Sequence, residues 1–339
     1  MVKSPDPARI LRLVAFHLER TGEPTYRVQA FRRAAATVDD LAEGELDERI
    51  RTGTLTQLPG IGKVTAGLIT EVAGGSEPEY LLRVRERAAE PDGGELRAAL
   101  RGDCHTHSDW SDGGSPVHEM ANAARELGHE WMVLTDHSPR LKVARGLSTE
   151  RLRQQLDLVA ELNSTLAPFR ILTGIEVDIL TDGTLDQDPD LLASLDLVVA
   201  SLHSALRMPA PEMTRRMVAA VRDPNVDVLG HCTGRLVSGK RGRPESTFDA
   251  EAVFEACQDN DVAVEINSRP ERQDPPRRLI RLAAELGCRF AIDSDAHAPG
   301  QLAWQSYGCV RATECGVGPD QVINSCSADQ LADWTGSRR

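Results

Sequence analysis

The sequence predicts an α/β protein in which a small all-helical domain precedes a closed or nearly closed barrel of parallel strands and helices. Three observations predict it. From Arg101 onward, short apolar, β-branched runs alternate with helical stretches, a pattern that implies parallel strands with helical crossovers. Roughly seven such units fit the available length, which favours a barrel over an open sheet. Before the connection that leads to Arg101 the periodicity is that of successive helices, up to Val72.

In the helical part, residues 8–20 place Ile10, Leu13, Val14 and Leu18 at helical spacing, and Thr21-Gly22-Glu23-Pro24 stops that helix. Residues 25–41 read as a second helix with a basic stretch at Arg27, Arg32 and Arg33. A short helix follows around Leu46–Arg51. Leu58-Pro59-Gly60-Ile61-Gly62-Lys63 is then a turn that opens a further helix through Val72. Residues 86–100 read as the linker between a domain over 1–85 and a barrel over 101–339.

The barrel runs are Gly102–Ser108, Trp131–His137, Ile171–Ile179, Leu197–His203, Val226–His231, Val262–Ser268 and Arg289–His297. Asp182-Gly183 marks a tight turn after the third.

Composition narrows the class. The chain has 339 residues and 40 % hydrophobic content, enough for one large core and a smaller one. It holds no apolar run of membrane-spanning length and no signal-like apolar segment after Met1, so a cytoplasmic location is expected. Seven cysteines without a Cys-x-x-Cys pair argue against a disulfide framework and a thiolate zinc site. The formal net charge is −13. Nearly all of that excess lies beyond residue 90, where bound divalent cations would offset part of it.

The chemistry lies in how the runs end. They carry His105 and His107 with Asp112 nearby, then His137, Glu176, His203, His231, and Asp295 with His297. Parallel barrels place their sites at the C-terminal rim. Residues two apart on a strand share a face, so His105 pairs with His107 and Asp295 with His297. Nine imidazole and carboxylate groups would meet at one mouth. That donor set suits Zn2+, Mn2+ or Fe2+. Nine ligands exceed one ion, and Glu176 can bridge, so two or three ions are expected. Such a cluster supports attack of an activated hydroxide on phosphorus. Asp112, Glu176, Asp295 and Arg235 are the expected catalytic residues. Arg140, Arg235, Arg269 and Arg272, on loops after the strands, are candidates for holding a substrate phosphate. His17, His118 and His129 fall outside this pattern and read as ordinary core or surface residues. Asp103 and Asp293 alternate in phase with the ligands, while Cys104 is out of phase and reads as packing.

Asp103-Cys-His-Thr-His107, Ser111-Asp-Gly113, Thr135-Asp-His137, Gly174-Ile-Glu176, Ser201-Leu-His203, Gly230-His231 and Ser294-Asp-Ala-His297 together resemble the polymerase-and-histidinol-phosphatase (PHP) family. The resemblance implies a distorted (β/α)7 barrel and a trinuclear site with all nine ligand positions filled. Thr135-Asp-His-Ser-Pro139, Gly230-His-Cys-Thr-Gly-Arg-Leu236 and Glu265-Ile-Asn267 look closer to the PHP domain of bacterial family X DNA polymerases. Tyr26–Ala35 and Leu58–Lys63 resemble the N-terminal helix-hairpin-helix domain of those enzymes. That resemblance implies sequence-independent contacts to the DNA backbone through Gly60, Gly62 and Lys63, with Arg27 and Arg32 nearby. Lys240-Arg241-Gly-Arg243 is a further candidate DNA-contacting loop.

Two departures qualify the resemblance. Only some 25 residues separate the domains, where a polymerase would carry its palm and fingers, so polymerisation is not expected. The position of the nucleophilic lysine in lyase-active relatives is Leu68. A phosphoesterase acting on DNA ends is expected, as a 3′-5′ exonuclease, a 3′-phosphatase or an abasic-site endonuclease with a DNA repair role. A small-molecule phosphatase of the histidinol-phosphate type is the alternative, and a non-enzymatic DNA-binding scaffold the third reading.

Overall fold

The computed structural model describes residues 6–238 and 242–338; Lys240 and Arg241 of the candidate DNA-contacting loop lie outside them. The chain divides into two compact units between Ala89 and Glu90.

The first unit is helical: α1 (Pro7–Arg20), α2 (Thr25–Asp39), α3 (Glu45–Thr52), α4 (Lys63–Ala73) and α5 (Glu79–Arg87). Asp6 starts α1 by accepting from Ala8 N at 3.0 Å, and Pro7 occupies the first turn, where no amide is needed. Leu11, Val14 and Leu18 carry the buried stripe, while Ile10 and Leu13 only flank the core. The apolar face is therefore turned slightly from the expected one. Phe31, Leu55, Ile61, Leu68 and Ile69 complete that core. Leu68 is packing here, 2 % exposed.

The second unit opens with α6 (Gly94–Ala99), which corrects the expected linker over 86–100. Leu96 and Leu100 drop into the main barrel core, so burial of apolar surface orders this segment.

The strands are β1 (Gly102–Thr106), β2 (Trp131–Leu134), β3 (Arg170–Asp178), β4 (Leu197–Ser201), β5 (Val228–Leu229), β6 (Ala263–Asn267) and β7 (Phe290–Asp293). All are parallel and neighbours follow chain order. Between them run α7 (Val117–Glu126), α8 (Thr149–Leu166), α9 (Pro189–Ala193), α10 (Ala210–Val221), α11 (Ala250–Asp259) and α12 (Arg277–Glu285). The chain ends with α13 (Gln305–Thr313) and α14 (Ala328–Gly336). The predicted (β/α)7 barrel is present.

Strand phase explains where the polar groups go. Val133, Leu172, Val199, Ala263 and Ala291 join one buried cluster across the barrel. Two and four residues further along the same faces stand His137, Glu176, His203, Glu265 and Asp295. These five strands thus pack apolar side chains low and lift polar ones to the C-terminal end. Gly174 sits between Leu172 and Glu176 because a Cβ there would lie 2.5 Å from Val133 Cγ1 and 2.7 Å from the Leu197 carbonyl.

The seam between β1 and β7 closes mostly through side chains. One bridge joins Thr106 to Ala296, and His107 N donates to Ala296 O at 2.8 Å. Asp293 Oδ1 accepts from Cys104 N at 2.9 Å and from Asn324 Nδ2 at 2.9 Å. Asp103 Oδ1 accepts from Ser294 N at 3.2 Å. These two aspartates therefore stitch the seam. Burial raises the Asp103 carboxyl to about 7 and pushes Asp293 well above its usual range. Cys104 packs in the apolar cluster as its phase suggested.

Asn324 also accepts from Ile292 N at 2.7 Å, so Asn324→Ala leaves buried partners unmet. The expected loss is about 2–3 kcal/mol of barrel stability. All four tryptophans lie beyond residue 100, so their fluorescence in urea reports this unit alone. An unchanged midpoint would contradict the seam assignment.

Candidate metal centre

Glu176, on β3, faces five imidazoles. Its Oε2 lies 3.3 Å from His105 Nε2, 3.6 Å from His107 Nε2 and 2.8 Å from His137 Nδ1. Its Oε1 lies 3.2 Å from His203 Nε2 and 2.8 Å from His231 Nε2. The carboxylate thus divides the ring of histidines into two sets. On the outer side, Asp112 Oδ1 lies 3.5 Å from His137 Nε2 and 3.3 Å from His297 Nε2. Asp295 Oδ1 lies 3.4 Å from His107 Nε2. All nine residues expected to bind metal therefore stand at one mouth. His17, His118 and His129 stand elsewhere, on α1, on α7 and in the turn before β2.

The donors fit divalent cations. Buried nitrogens that face the cluster, Nε2 of His105, His107 and His203 and Nδ1 of His137, make no hydrogen bond, although each lies within 3.6 Å of a Glu176 oxygen. A buried polar atom without a partner is costly, and a cation supplies one. Three overlapping groups each bring ligand atoms within 4.8 Å of one another: His107, Asp112, His137 and His297; His105, His107 and Glu176; His137, Glu176 and His203. Among the described residues the grouped ligand atoms are nitrogens and oxygens, and no cysteine joins them.

Electrostatics within the cluster are strong. Burial would raise the Glu176 carboxyl, but His137, His203 and His105 outweigh it and hold it well below its usual range. Burial would lower His203, yet Glu176 and Asp178 hold it up at about 9. Burial, then the charges of His297 and His137, push His107 well down. Asp295 has a left-handed backbone (φ 51), rare for a non-glycine residue and typical of functional sites. Against the effect of burial, Arg269 and Arg272 keep it ionised.

The surrounding loops are fixed by arginines that donate to main-chain carbonyls. Arg151 on α8 reaches Arg145 O at 2.7 Å and also binds Trp110 O. Arg145 reaches Asp109 O at 2.9 Å, beside Asp112. Arg216 on α10 ties Leu180 O at 2.8 Å to Ser204 O at 2.9 Å. Arg311 on α13 ties Asn267 O at 3.0 Å to Gln273 O at 2.8 Å. Asp136, beside His137, accepts from Ser108 N at 2.9 Å and holds the turn that leads to Asp112.

Four arginines were candidates for phosphate or catalysis. Arg235 is corrected: its guanidinium binds Gln273 O at 3.0 Å, Arg272 O at 3.2 Å and Glu245 at 3.3 Å, so it joins two loops instead of facing the cluster. Arg269 Nη1 lies 3.4 Å from Asp295 Oδ1, and Arg272 Nε 3.1 Å from Asp295 Oδ2. Arg140 stands on the rim, 69 % exposed, 3.6 Å from Asp186.

In the helical unit, Gly60 takes φ +76 where the chain passes over α2, and Thr37 Oγ1 donates to Pro59 O at 2.8 Å. Ile61 is buried, while Gly62, Lys63 and Val64 face solvent at the start of α4. Arg32 is corrected: it grips Glu19 through Nε at 2.8 Å and Nη2 at 2.9 Å in a nearly buried pair. Arg27 is held by Glu23 at 2.5 Å and by the Tyr80 hydroxyl at 3.2 Å. Arg33 stands on the helix beside the hairpin, its Cβ bordering Gly60 one turn from Thr37. That i, i+4 relation to Thr37 was readable in the sequence.

Two carboxylates were not singled out as site residues. Glu265 accepts from His105 Nδ1 at 2.6 Å, and Asp178 from His203 Nδ1 at 2.7 Å. Their signal was phase: Glu265 lies two residues past Ala263 on an inward face, and Asp178 two past Glu176.

The fold and site define a seven-stranded parallel barrel whose mouth gathers imidazole and carboxylate groups fit to hold metal. A helix-hairpin-helix domain family matches residues 3–74, and a PHP domain family matches residues 103–269. The chain thus carries a helix-hairpin-helix domain followed by a PHP domain. It is 40 % identical, over 67 % of its length, to the DNA polymerase/3′-5′ exonuclease PolX of Bacillus subtilis (strain 168), of which it spans 40 %. It is 28 % identical, over 66 % of its length, to a probable phosphatase of Thermoanaerobacter sp. (strain X514), of which it covers 89 %. A solved structure of histidinol phosphate phosphatase from Lactococcus lactis, complexed with zinc, L-histidinol and phosphate, aligns with a TM-score of 0.47 at 16 % identity, covering 65 % of this chain and 95 % of that one.

The imidazole–Glu176 pairing has a pH signature in chelator-treated protein. His203 rises from 6.5 to about 9 on folding, so its contribution is complete below pH 6.5 and lost as pH climbs through 9. Glu176 moves the other way, and its contribution is lost as pH falls below its usual range. Glu176→Gln is expected to cost about 3 kcal/mol at pH 6 and progressively less towards pH 10. Urea unfolding followed by tryptophan fluorescence across that range measures it. A cost independent of pH would contradict the pairing.

Proposed function

We propose that this chain is a metal-dependent phosphoesterase that acts on DNA ends, as a 3′-5′ exonuclease, a 3′-phosphatase or an abasic-site endonuclease, with a place in DNA repair. The observation that carries the reading is one chain holding both a nine-donor centre around Glu176 and a solvent-facing helix-hairpin-helix turn at Gly60–Lys63. A metabolite phosphatase has no evident use for the second. Two or three divalent ions (Mn2+, Zn2+ or Fe2+) bound at the nine donors would supply Lewis acidity and lower the pKa of an attacking water.

The chain's own residues do the remaining work. His105, His107, His137, His203, His231 and His297, with Asp112, Glu176 and Asp295, hold the ions. Arg269 and Arg272 keep Asp295 charged and aimed. Arg140 is placed to meet a phosphate oxygen at the rim. Amides at the start of α4, with Lys63 and Arg33, suit a backbone phosphate and read no bases. Asp112, 37 % exposed, lies on the solvent side of the cluster, where a substrate enters.

The Bacillus subtilis relative is named a polymerase as well as an exonuclease. Between α4 and β1 this chain has only the short helices α5 and α6, so no polymerase activity is proposed. A small-molecule phosphatase is the second reading, because the chain covers most of the length of a relative named a probable phosphatase.

A manganese-supplemented assay on one purified sample separates the two. Substrates are end-labelled single-stranded and gapped DNA, DNA with a 3′-phosphate, and L-histidinol phosphate. Turnover of one or more DNA substrates is expected; turnover of L-histidinol phosphate alone overturns the proposal. His107→Ala is expected to lower hydrolysis at least ~100-fold with folding retained. Lys63→Glu is expected to weaken DNA binding roughly tenfold at low salt and to spare a small phosphate ester. Unchanged affinity would remove the hairpin from the account.

A further inference from the structure

The histidines of the centre are not equally supported. His105 and His203 each present Nε2 to Glu176 while Nδ1 meets a second carboxylate, Glu265 at 2.6 Å and Asp178 at 2.7 Å. When a metal takes the place of the Nε2 proton, each ring keeps its proton on Nδ1, donated to the carboxylate behind it, and Nε2 is the ligand atom. Glu265 is itself fixed, accepting from His231 N and from Asn267 Nδ2 at 3.3 Å. Both carboxylates are almost wholly buried, so their charge is little screened.

In the outer part of the centre the partner behind the ring is a main-chain carbonyl, with a cation beside it, rather than a separate buried carboxylate. His297 Nδ1 lies 2.9 Å from the Asp295 main-chain carbonyl and 3.0 Å from the Arg269 guanidinium. A cation beside the ring weakens its attraction for a metal. Asp112 is 37 % exposed and accepts a long hydrogen bond from Ser111 Oγ at 3.4 Å.

We propose that Glu265 and Asp178 are positioning residues that set His105 and His203 as strong Nε2 ligands, so that metal beside Glu176 is held tightly while metal at Asp112 and His297 is exchangeable. The inference rests on the proposed metal-dependent reading. A carboxylate behind a ligating histidine fixes the ring's tautomer and raises its basicity, typically for a 10–100-fold gain in metal affinity. The exposed ion would then be the one that leaves and reloads, at the face where substrate arrives.

The test reads metal without substrate. The full chain is loaded with Mn2+ or Zn2+ and dialysed against rising chelator, and bound metal per chain is measured by mass spectrometry. Wild type is expected to release metal in two steps, the first at least tenfold easier. Asp112→Asn is expected to lose only the early step. Glu265→Gln and Asp178→Asn are expected to shift the late step by 10–100-fold. Either variant suffices if the other does not fold, as judged by its melting curve. In the metal-loaded protein, nitrogen-15 shifts of the imidazoles should show Nδ1–H tautomers at His105 and His203. Release in one step, or a late step unmoved in the folded variants, overturns the inference. Two-step release with no phosphoester turnover overturns the proposed function alone, and a chain that takes up no divalent metal overturns both.

Discussion

Glu176 sits between His105, His107, His137, His203 and His231 with both oxygens engaged and almost no contact with water. A carboxylate so placed is costly unless positive charge faces it. Protonated imidazoles can supply that charge, and so can bound cations. The surrounding architecture serves this constraint. Parallel strands bring seven strand ends to one mouth, and along most of them a step of two to four residues separates the apolar floor from the polar rim.

Convergence alone would not keep nine side chains within reach of shared ions. The rim is made of loops, and loops are the mobile part of most folds. Here Arg151, Arg216 and Arg311 bind loop carbonyls from the helices outside, while Asp136 and Asp274 accept from loop amides within. Arg235 belongs to this scaffold, joining the loops after β5 and β6. The β1–β7 seam, bonded by Asp103, Asp293 and Asn324, fixes His105 and His107 relative to Asp295. Binding of several cations needs ligands already in place, and these hydrogen bonds provide that order before any ion arrives.

Much of this was legible in the sequence. Alternation of apolar runs and helices gave the barrel, and polar residues at the run ends gave the nine candidate ligands that meet at its mouth, because strand periodicity is local. What escaped depended on side-chain direction. Arg32 and Arg33 are adjacent and equally basic, yet a helix turns about 100° per residue, so one meets Glu19 and the other the hairpin. Arg235 follows a ligand strand, and nothing local shows that its guanidinium turns to Gln273 O. Glu265 and Asp178 were in phase with the ligands but gain meaning only from the histidines of distant strands. The supposed linker hid Leu96 and Leu100, whose burial depends on a core formed far along the chain.

The central claim is that Glu176 joins the imidazoles around shared divalent ions. Anomalous diffraction from crystals soaked in Mn2+ tests it most directly. The expected result is at least two anomalous peaks, each within about 2.0–2.3 Å of a Glu176 oxygen or a facing imidazole nitrogen. Crystals that diffract well, contain ample Mn2+ and show no peak at this mouth would contradict the account.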